Sequence, residues 1–210
     1  ELELAYELAA GEMVAVTGTN GKTTTVSLLG EIFKNAGKVT HVVGNIGYPY
    51  SAAAVDSRKD DVFVTEVSSF QLETIVKFHP RAAALLNITE DHLNRHGTME
   101  EYTRIKMRIF ENQTAEDAAV FNDDDPLSAP LAGQVKSRVL RFSRTHEVPE
   151  GAFARDGKII VRFGGEDKVL CDTGEVRIPG PHNLENALAA TCIAVFMGVP
   201  APVIRHTPRT

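Results

Sequence analysis

The stretch Val14-Ala15-Val16-Thr17-Gly18-Thr19-Asn20-Gly21-Lys22-Thr23-Thr24-Thr25 passes from an apolar β-branched run, through a glycine turn, to a Lys-Thr pair. A strand that feeds a helix through such a turn has what a nucleotide triphosphate needs. Glycines let backbone N–H groups approach phosphates with no Cβ in the way, and the helix N-terminus adds partial positive charge. Lys22 adds a full charge, and the Thr23 hydroxyl is a hard ligand suited to Mg²⁺. Gly18, Thr19, Asn20, Gly21, Lys22, Thr23 and Thr24 are therefore the candidate nucleotide-binding residues.

The general phosphate loop reads G-x-x-x-x-G-K-[ST]. Here Val16 stands at the first glycine position and Gly18 serves instead, so the turn is tighter. A bare strand-to-helix turn with a capping lysine is the bland alternative. The flanks argue against it: Met13–Thr17 reads as a buried strand, and Val26, Leu29 and Phe33 recur at helical spacing.

Length and composition bound the rest. The chain has 210 residues, 43% hydrophobic and 24% charged, which suits one sizeable globular unit. A formal net charge of −6 argues against nucleic acid as partner. Cys171 and Cys192 have neither metal spacing nor a disulfide framework, which predicts a reducing, cytoplasmic setting. No apolar run reaches the ~20 residues of a membrane span, so no membrane insertion is expected. The expected state is a monomer. Glu1–Leu8 reads as an amphipathic helix without an initiator Met, and Arg205–Thr210 stop without a closing element. The expectation is a middle segment of a longer protein.

Strand-like and helix-like runs alternate. Strands are predicted at Met13–Thr17, Val39–Val43, Val62–Thr65, Ala82–Leu86, Ala118–Phe121 and Arg138–Phe142. Helices are predicted at Thr23–Asn35, Pro49–Val55, Gln71–Phe78, Met99–Glu111 and Pro126–Ala132, with Thr98 and Glu101 as a capping box. Such alternation predicts an α/β fold, a mainly parallel sheet flanked by helices. Asp156-Gly157 then marks a hairpin between Phe153–Arg155 and Lys158–Phe163. Lys168–Cys171 and Glu175–Ile178 extend this small antiparallel addition near 151–178. A last helix spans Asn183–Met197 and ends at Gly198.

In open α/β sheets, ligands bind beyond the carboxyl ends of the strands. Gly18, Gly44-Asn45-Ile46-Gly47, Glu66, Asn87 and Glu90-Asp91-His92 all follow predicted strands. Asn45 between glycines reads equally as a turn residue. Glu66 could cap a helix, but its place after an apolar strand suits a metal ligand, and His92 gains weight as its neighbour. His41, His79, His96, His146 and His206 read as solvated or satisfied side chains. Lys106 leans toward the apolar stripe of Tyr102, Ile105 and Ile109. It is either a snorkelling lysine or a partly desolvated amine that deprotonates easily. A neutral amine can take up CO₂ as a carbamate, turning a cation into an anionic metal ligand.

Thr17–Thr24 resembles the ATP loop of the Mur ligases, which include the folylpolyglutamate synthetase relatives. Gly44–Gly47, Asn87–His92 and Gly180–Ala187 match further family blocks in order. Glu66-Val67-Ser68-Ser69-Phe70-Gln71-Leu72-Glu73 is similar to the D-glutamate-adding branch, and Tyr102–Phe110 to the segment bearing that family's carbamylated lysine. The resemblance covers essentially the whole chain and identifies it with the central, ATP-binding domain (residues 1–210) of a three-domain ligase. The N-terminal UDP-binding and the C-terminal domain would lie outside it.

What the resemblance implies is ATP-driven amide ligation of D-glutamate to UDP-N-acetylmuramoyl-L-alanine through an acyl phosphate. It implies catalytic roles for Lys22, Glu66, His92 and Lys106. Two Mg²⁺ ions would be held by Thr23 with Glu66 and by His92 with a CO₂-derived carbamate on Lys106. Asn45 and Ser68 would line the muramoyl-alanine channel. Asn183 and Asn186 would lie near adenine, Asn183 also reading as a helix N-cap. The alternatives are another Mur or folylpolyglutamate-type ligase, or a nucleotide-binding module that does not ligate.

Overall fold

All six apolar runs read as strands form strands. The computed structural model describes residues 1–91, 93–176 and 180–207. In chain order the elements are α1 (Leu2–Leu8), β1 (Glu12–Thr17), α2 (Lys22–Asn35), β2 (Thr40–Gly44), α3 (Tyr50–Ala54) and β3 (Val62–Glu66). Then come α4 (Ser69–Leu72), β4 (Ala82–Leu85), α5 (Leu93–His96), α6 (Met99–Met107), β5 (Ala118–Asn122) and β6 (Arg138–Ser143). The chain continues with β7 (Gly151–Arg155), β8 (Lys158–Phe163), β9 (Glu166–Asp172), α7 (Pro181–Phe196) and α8 (Ala201–His206).

Among the described residues the strands make one nine-stranded sheet in the order β2-β3-β1-β4-β5-β6-β7-β8-β9. Pairing is parallel from β2 through β7, and β8 and β9 add on antiparallel. The predicted antiparallel addition is therefore a continuation of the same sheet.

Strand alternation splits the core in two. Val14, Val16, Val62 and Val64 face one side, where α2, α7 and α8 supply Leu29, Leu188 and Ile204. Met13, Ala15, Phe63 and Ala83 face the other, where α1, α3 and α6 supply Leu2, Tyr50 and Ile105. Parallel strands covered on both faces read as continuous apolar runs rather than alternating ones. Each fully buried Val or Leu stabilises the fold by about 1.5–3 kcal/mol before entropy is counted.

Several expectations need correction. The helix expected over Gln71–Phe78 is the short α4, Ser69–Leu72. Beyond it the backbone bonds to side chains. Arg108 takes the carbonyls of Leu72, Glu73 and Ile75, and the Glu3 carboxylate takes the amides of Val76, Lys77 and Phe78. Those bonds replace the i→i−4 ladder.

The helix expected at Pro126–Ala132 is a 3₁₀ turn, Ala129–Gln134, and the last turn of Met99–Glu111 is also 3₁₀, Arg108–Phe110. Thr98 does cap α6 through the Glu101 amide, but the Glu101 carboxylate pairs with Arg104 instead of closing a capping box. Thr173–Glu175 is 3₁₀ where a strand was expected to begin, and Arg177 and Ile178 lie outside the described residues. The chain does gain a late element, α8, started by proline and capped by its own backbone. Helix α7 begins at Pro181 with Gly180 as its N-cap, so Asn183 is not the cap.

Candidate nucleotide site

The register brings the carboxyl ends of the central strands level. Glu66 pairs with Val16 of β1 on one side and Gly44 of β2 on the other. A Cβ at Gly44 would lie 2.2 Å from the Glu66 carbonyl oxygen, and Gly44 has φ +100°, so only glycine suits this approach. The next residue, Asn45, donates its amide to that same carbonyl at 2.9 Å.

The Glu66 side chain is buried, with both oxygens engaged. Oε2 accepts from Thr23 Oγ1 at 2.7 Å, and Oε1 accepts from Asn45 Nδ2 at 2.9 Å. Thr23 sits in the first turn of α2, so one carboxylate ties the loop helix to the ends of β2 and β3. The structure thus brings Thr23, Glu66 and Asn45 into direct contact.

The loop itself is braced from β4. Thr19 donates its amide to the Asn87 carbonyl at 3.0 Å, and Asn20 donates its amide to Asn87 Oδ1 at 2.9 Å. Asn87 Nδ2 returns a bond to the Asn20 carbonyl at 3.1 Å. Gly21 has φ +85° and acts as the N-cap of α2. A Cβ there would meet Asn186 Oδ1 at 2.3 Å, so α7 abuts the loop at this point. Asn186 in turn donates to Asn183 Oδ1 at 3.2 Å. Asn186 thus abuts the loop and Asn183 is bonded to Asn186, while Thr24 follows in the first turn of α2.

Two lysines converge on one loop carbonyl. Gly18 O accepts from Lys22 Nζ at 3.0 Å and from Lys106 Nζ at 2.8 Å. Lys22 also donates to Thr19 O at 2.8 Å. Burial lowers the Lys22 pKa, opposed by the charges of Glu66 and Asp91. Lys106 is only 2% exposed. Burial, and then the Lys22 charge, bring its pKa down to about 7, with Asp91 opposing. Snorkelling is therefore excluded for Lys106, and its amine gives up its proton more readily than an exposed lysine does.

Ser68 caps α4. Its hydroxyl accepts from the Gln71 amide at 3.3 Å, and Gln71 Oε1 accepts from the Ser68 amide at 3.0 Å. His92 lies outside the described residues. His41 and His79 pair with Asp61 and Asp117, as satisfied side chains do.

Sequence reading missed a cleft of about 310 Å³ beside the loop, whose lining includes Asn20, Asn87, Asn122, Asp124, Arg144 and Glu185. Arg144 Nε donates to Glu185 Oε1 at 2.7 Å, and Asn122 Nδ2 donates to the Leu86 carbonyl at 3.0 Å. The signal existed: Asn122 ends β5 and Arg144 follows β6, the same strand-end rule applied two strands further out.

The donor set can be tested against Mg²⁺. Thr23 and Glu66 offer hydroxyl and carboxylate oxygens, and no group of three His, Cys, Asp or Glu that could hold a metal ion exists among the described residues. Mg²⁺ typically takes one or two protein oxygens and completes its shell with phosphates and water, so this pair fits it. Among the described residues no helix is long and apolar enough to cross a membrane.

Comparison with known proteins gives the family and the fold. The family model described as Mur ligase middle domain matches residues 16–194. The UDP-N-acetylmuramoylalanine–D-glutamate ligase of Alkaliphilus oremlandii is 54% identical over 210 residues, all of this chain and 46% of that protein. The protein of the same name from Pelotomaculum thermopropionicum is 52% identical over 209 residues, again 46% of its length. The chain thus spans about half the length of the curated relatives it matches. Among solved structures, a UDP-N-acetylmuramoyl-L-alanyl-D-glutamate–2,6-diaminopimelate ligase superposes with a TM-score of 0.78 at 24% identity, covering 100% of this chain and 48% of that one. A MurF ligase of Thermotoga maritima in complex with ADP gives 0.68 at 24% identity, over 98% of this chain and 51% of that one. Those likenesses concern the fold. With a phosphate-type loop braced by Asn87, a Thr23–Glu66–Asn45 bridge and a family match over most of its length, the chain belongs to the Mur ligase middle-domain family.

Proposed function

We propose that this chain is the ATP-binding middle domain of a three-domain ligase that joins D-glutamate to UDP-N-acetylmuramoyl-L-alanine during peptidoglycan precursor synthesis in the cytoplasm. The observation that carries the reading is the Thr23–Glu66–Asn45 bridge. It sets a hard-oxygen pair beside Lys22 at the mouth of the loop. The choice of D-glutamate is supported by the names of relatives that match the chain end to end.

In this reading the alanine carboxylate oxygen attacks the γ-phosphorus of ATP. The bond to the bridging oxygen breaks, ADP leaves and an acyl phosphate remains. The D-glutamate amine then attacks the acyl carbon, loses a proton, and phosphate departs. A carboxylate alone is a poor electrophile because oxide is a poor leaving group; phosphorylation corrects that. The protein's task is positioning and charge neutralisation.

Lys22 and the loop amides hold the phosphates. Asn183 and Asn186 bound the adenine side, and Asn45 and Ser68 the muramoyl-alanine side. Thr23 and Glu66 would hold Mg²⁺, which supplies charge neutralisation at the β and γ phosphates. His92 and a carbamate on Lys106 would hold a second ion. The buried, easily neutralised Lys106 amine suits CO₂ uptake. The protein acts as a monomer.

The test is ligation by the full-length protein, following amide formation from UDP-N-acetylmuramoyl-L-alanine and D-glutamate. Lys22→Ala is expected to lower kcat/KM by at least a hundredfold, the scale of one lost phosphate-stabilising group. The chain alone is expected to bind Mg-ATP without ligating. Preference for a diamino acid or a folate substrate would move the assignment elsewhere in the family. ATP hydrolysis that ignores every carboxylate substrate would overturn ligation altogether.

A further inference from the structure

A column of five side chains runs from the turn after β3 to the phosphate loop. The Arg95 guanidinium lies 5.1 Å from the Phe70 ring centre, and Phe70 and His96 stack at 5.6 Å. His96 and Tyr102 stack at 5.3 Å, and Lys106 Nζ lies 4.6 Å from the Tyr102 ring centre. At its inner end Lys106 donates to Gly18 O at 2.8 Å, and Tyr102 Oη is 3.4 Å from Thr19 Oγ1. At its outer end Phe70 is 41% exposed, within the same turn as Ser68.

His96 is the middle member, and its side chain is 1% exposed. Nε2 lies 3.0 Å from Ser69 Oγ, and Nδ1 lies 3.4 Å from Glu73 Oε1. The Arg95 guanidinium holds the Glu73 carboxyl below the ordinary carboxylate range, so Glu73 is an acceptor. The Glu73 carboxylate therefore faces Nδ1 and the Ser69 hydroxyl faces Nε2. The order serine, imidazole, carboxylate is that of a hydrolytic triad. Ser69 is only 3% exposed, however, so no substrate reaches its oxygen.

We propose that His96 is a positioning residue that locks the Ser68–Glu73 turn to the helix carrying Tyr102 and Lys106. Helix α4 has four residues and cannot hold itself in place. Through His96 its Ser69 hydroxyl and Glu73 carboxylate are fastened to the face of Tyr102. The carboxylate-substrate side of the site and the lysine side then move as one body. The role in turnover rests on the ligase reading above; the mechanical link does not.

The test uses the full-length protein. His96→Phe keeps the stack and removes both ring nitrogens, while Ser69→Ala removes one hydrogen bond and leaves the stack intact. Each is expected to raise KM for UDP-N-acetylmuramoyl-L-alanine by about tenfold, the effect of one buried hydrogen bond, with KM for ATP within about twofold. His96→Asn, which keeps a donor toward Glu73, is expected to recover part of that loss.

The second readout needs no ligation. With carbon-13 labelled tyrosine, Ser69→Ala is expected to shift the Tyr102 ring signals and leave those of Tyr6 and Tyr48 in place. Unchanged KM in folded variants, with unmoved Tyr102 signals, overturns the proposal. Should His96→Phe fail to fold, Ser69→Ala decides by the same two measurements. Should the unsubstituted protein not ligate, the ligase reading falls, and the Tyr102 signals alone decide the link.

Discussion

Lys22 and Lys106 share one acceptor, the Gly18 carbonyl, at 3.0 and 2.8 Å. Two ammonium groups so placed repel, and the more buried one releases its proton first. The folded Lys106 does so near 7, whereas an unfolded lysine holds its proton to about 10.4. Between those values the unfolded chain binds more protons, so stability rises with pH across that window and the penalty is largest below it. Lys106→Met is therefore expected to stabilise the fold at pH 6, with an advantage that shrinks by pH 9.5. Chemical denaturation at several pH values measures it, and a pH-independent difference would contradict the assignment. The shared carbonyl was invisible in the sequence. The stripe Tyr102, Ile105, Ile109 announced that Lys106 leans inward, but not which oxygen it would find. His96 was harder still, because a lone histidine outside any periodic pattern gives no sign that a serine and a glutamate from another turn will meet it.

At the scale of elements, the turn preceding β5 depends on one carboxylate. Asp117 accepts from His79 Nε2 at 2.7 Å, from the Thr114 amide at 2.7 Å and from Arg81 Nη1 at 3.1 Å. Burial alone would raise its pKa, but the Thr114 amide, His79 and Arg81 hold it below the ordinary aspartate value. A carboxyl lowered by folding contributes stability that is full above the unfolded value near 3.9 and lost as pH falls through the folded one. Asp117→Asn is expected to cost roughly 1–3 kcal/mol at pH 7 and less at pH 3, by urea denaturation at both values. A cost that does not fall with acid would show the carboxylate's charge to be irrelevant.

Elements with strong internal periodicity, such as α2 and α7, were legible within two or three residues at each end. The segment after α4 was not, because its backbone is held by Arg108 and Glu3, and Glu3 lies about seventy residues earlier in the chain.

Across the whole molecule, the sheet order puts β1 between β3 and β4, so the loop after β1 is flanked by strand ends from both sides. That is why Glu66 and Asn87 reach it from opposite directions. The alternation of runs made the parallel sheet readable, and the rule that ligands gather at carboxyl strand ends made most of the site readable with it. The cleft by Arg144 lies at the ends of β5 and β6, where the strand-end rule also applies, but local sequence does not say which strand stands next to which.

The far end of the sheet carries a different lesson. Strand β9 ends the sheet, and its Glu166, Asp167, Lys168 and Val169 are exposed. Edge strands invite pairing with other chains unless charge, irregularity or cover prevents it. Here β9 carries charged residues, and its pairing with β8 has a register shift at Ile159/Ile160. Replacing Glu166 and Lys168 together by Val is expected to leave nucleotide binding intact while raising light scattering at high concentration; unchanged scattering would mean the charges are idle. The flank most distant in sheet order from the chemistry therefore decides how densely this domain can be crowded in solution before it sticks to its neighbours.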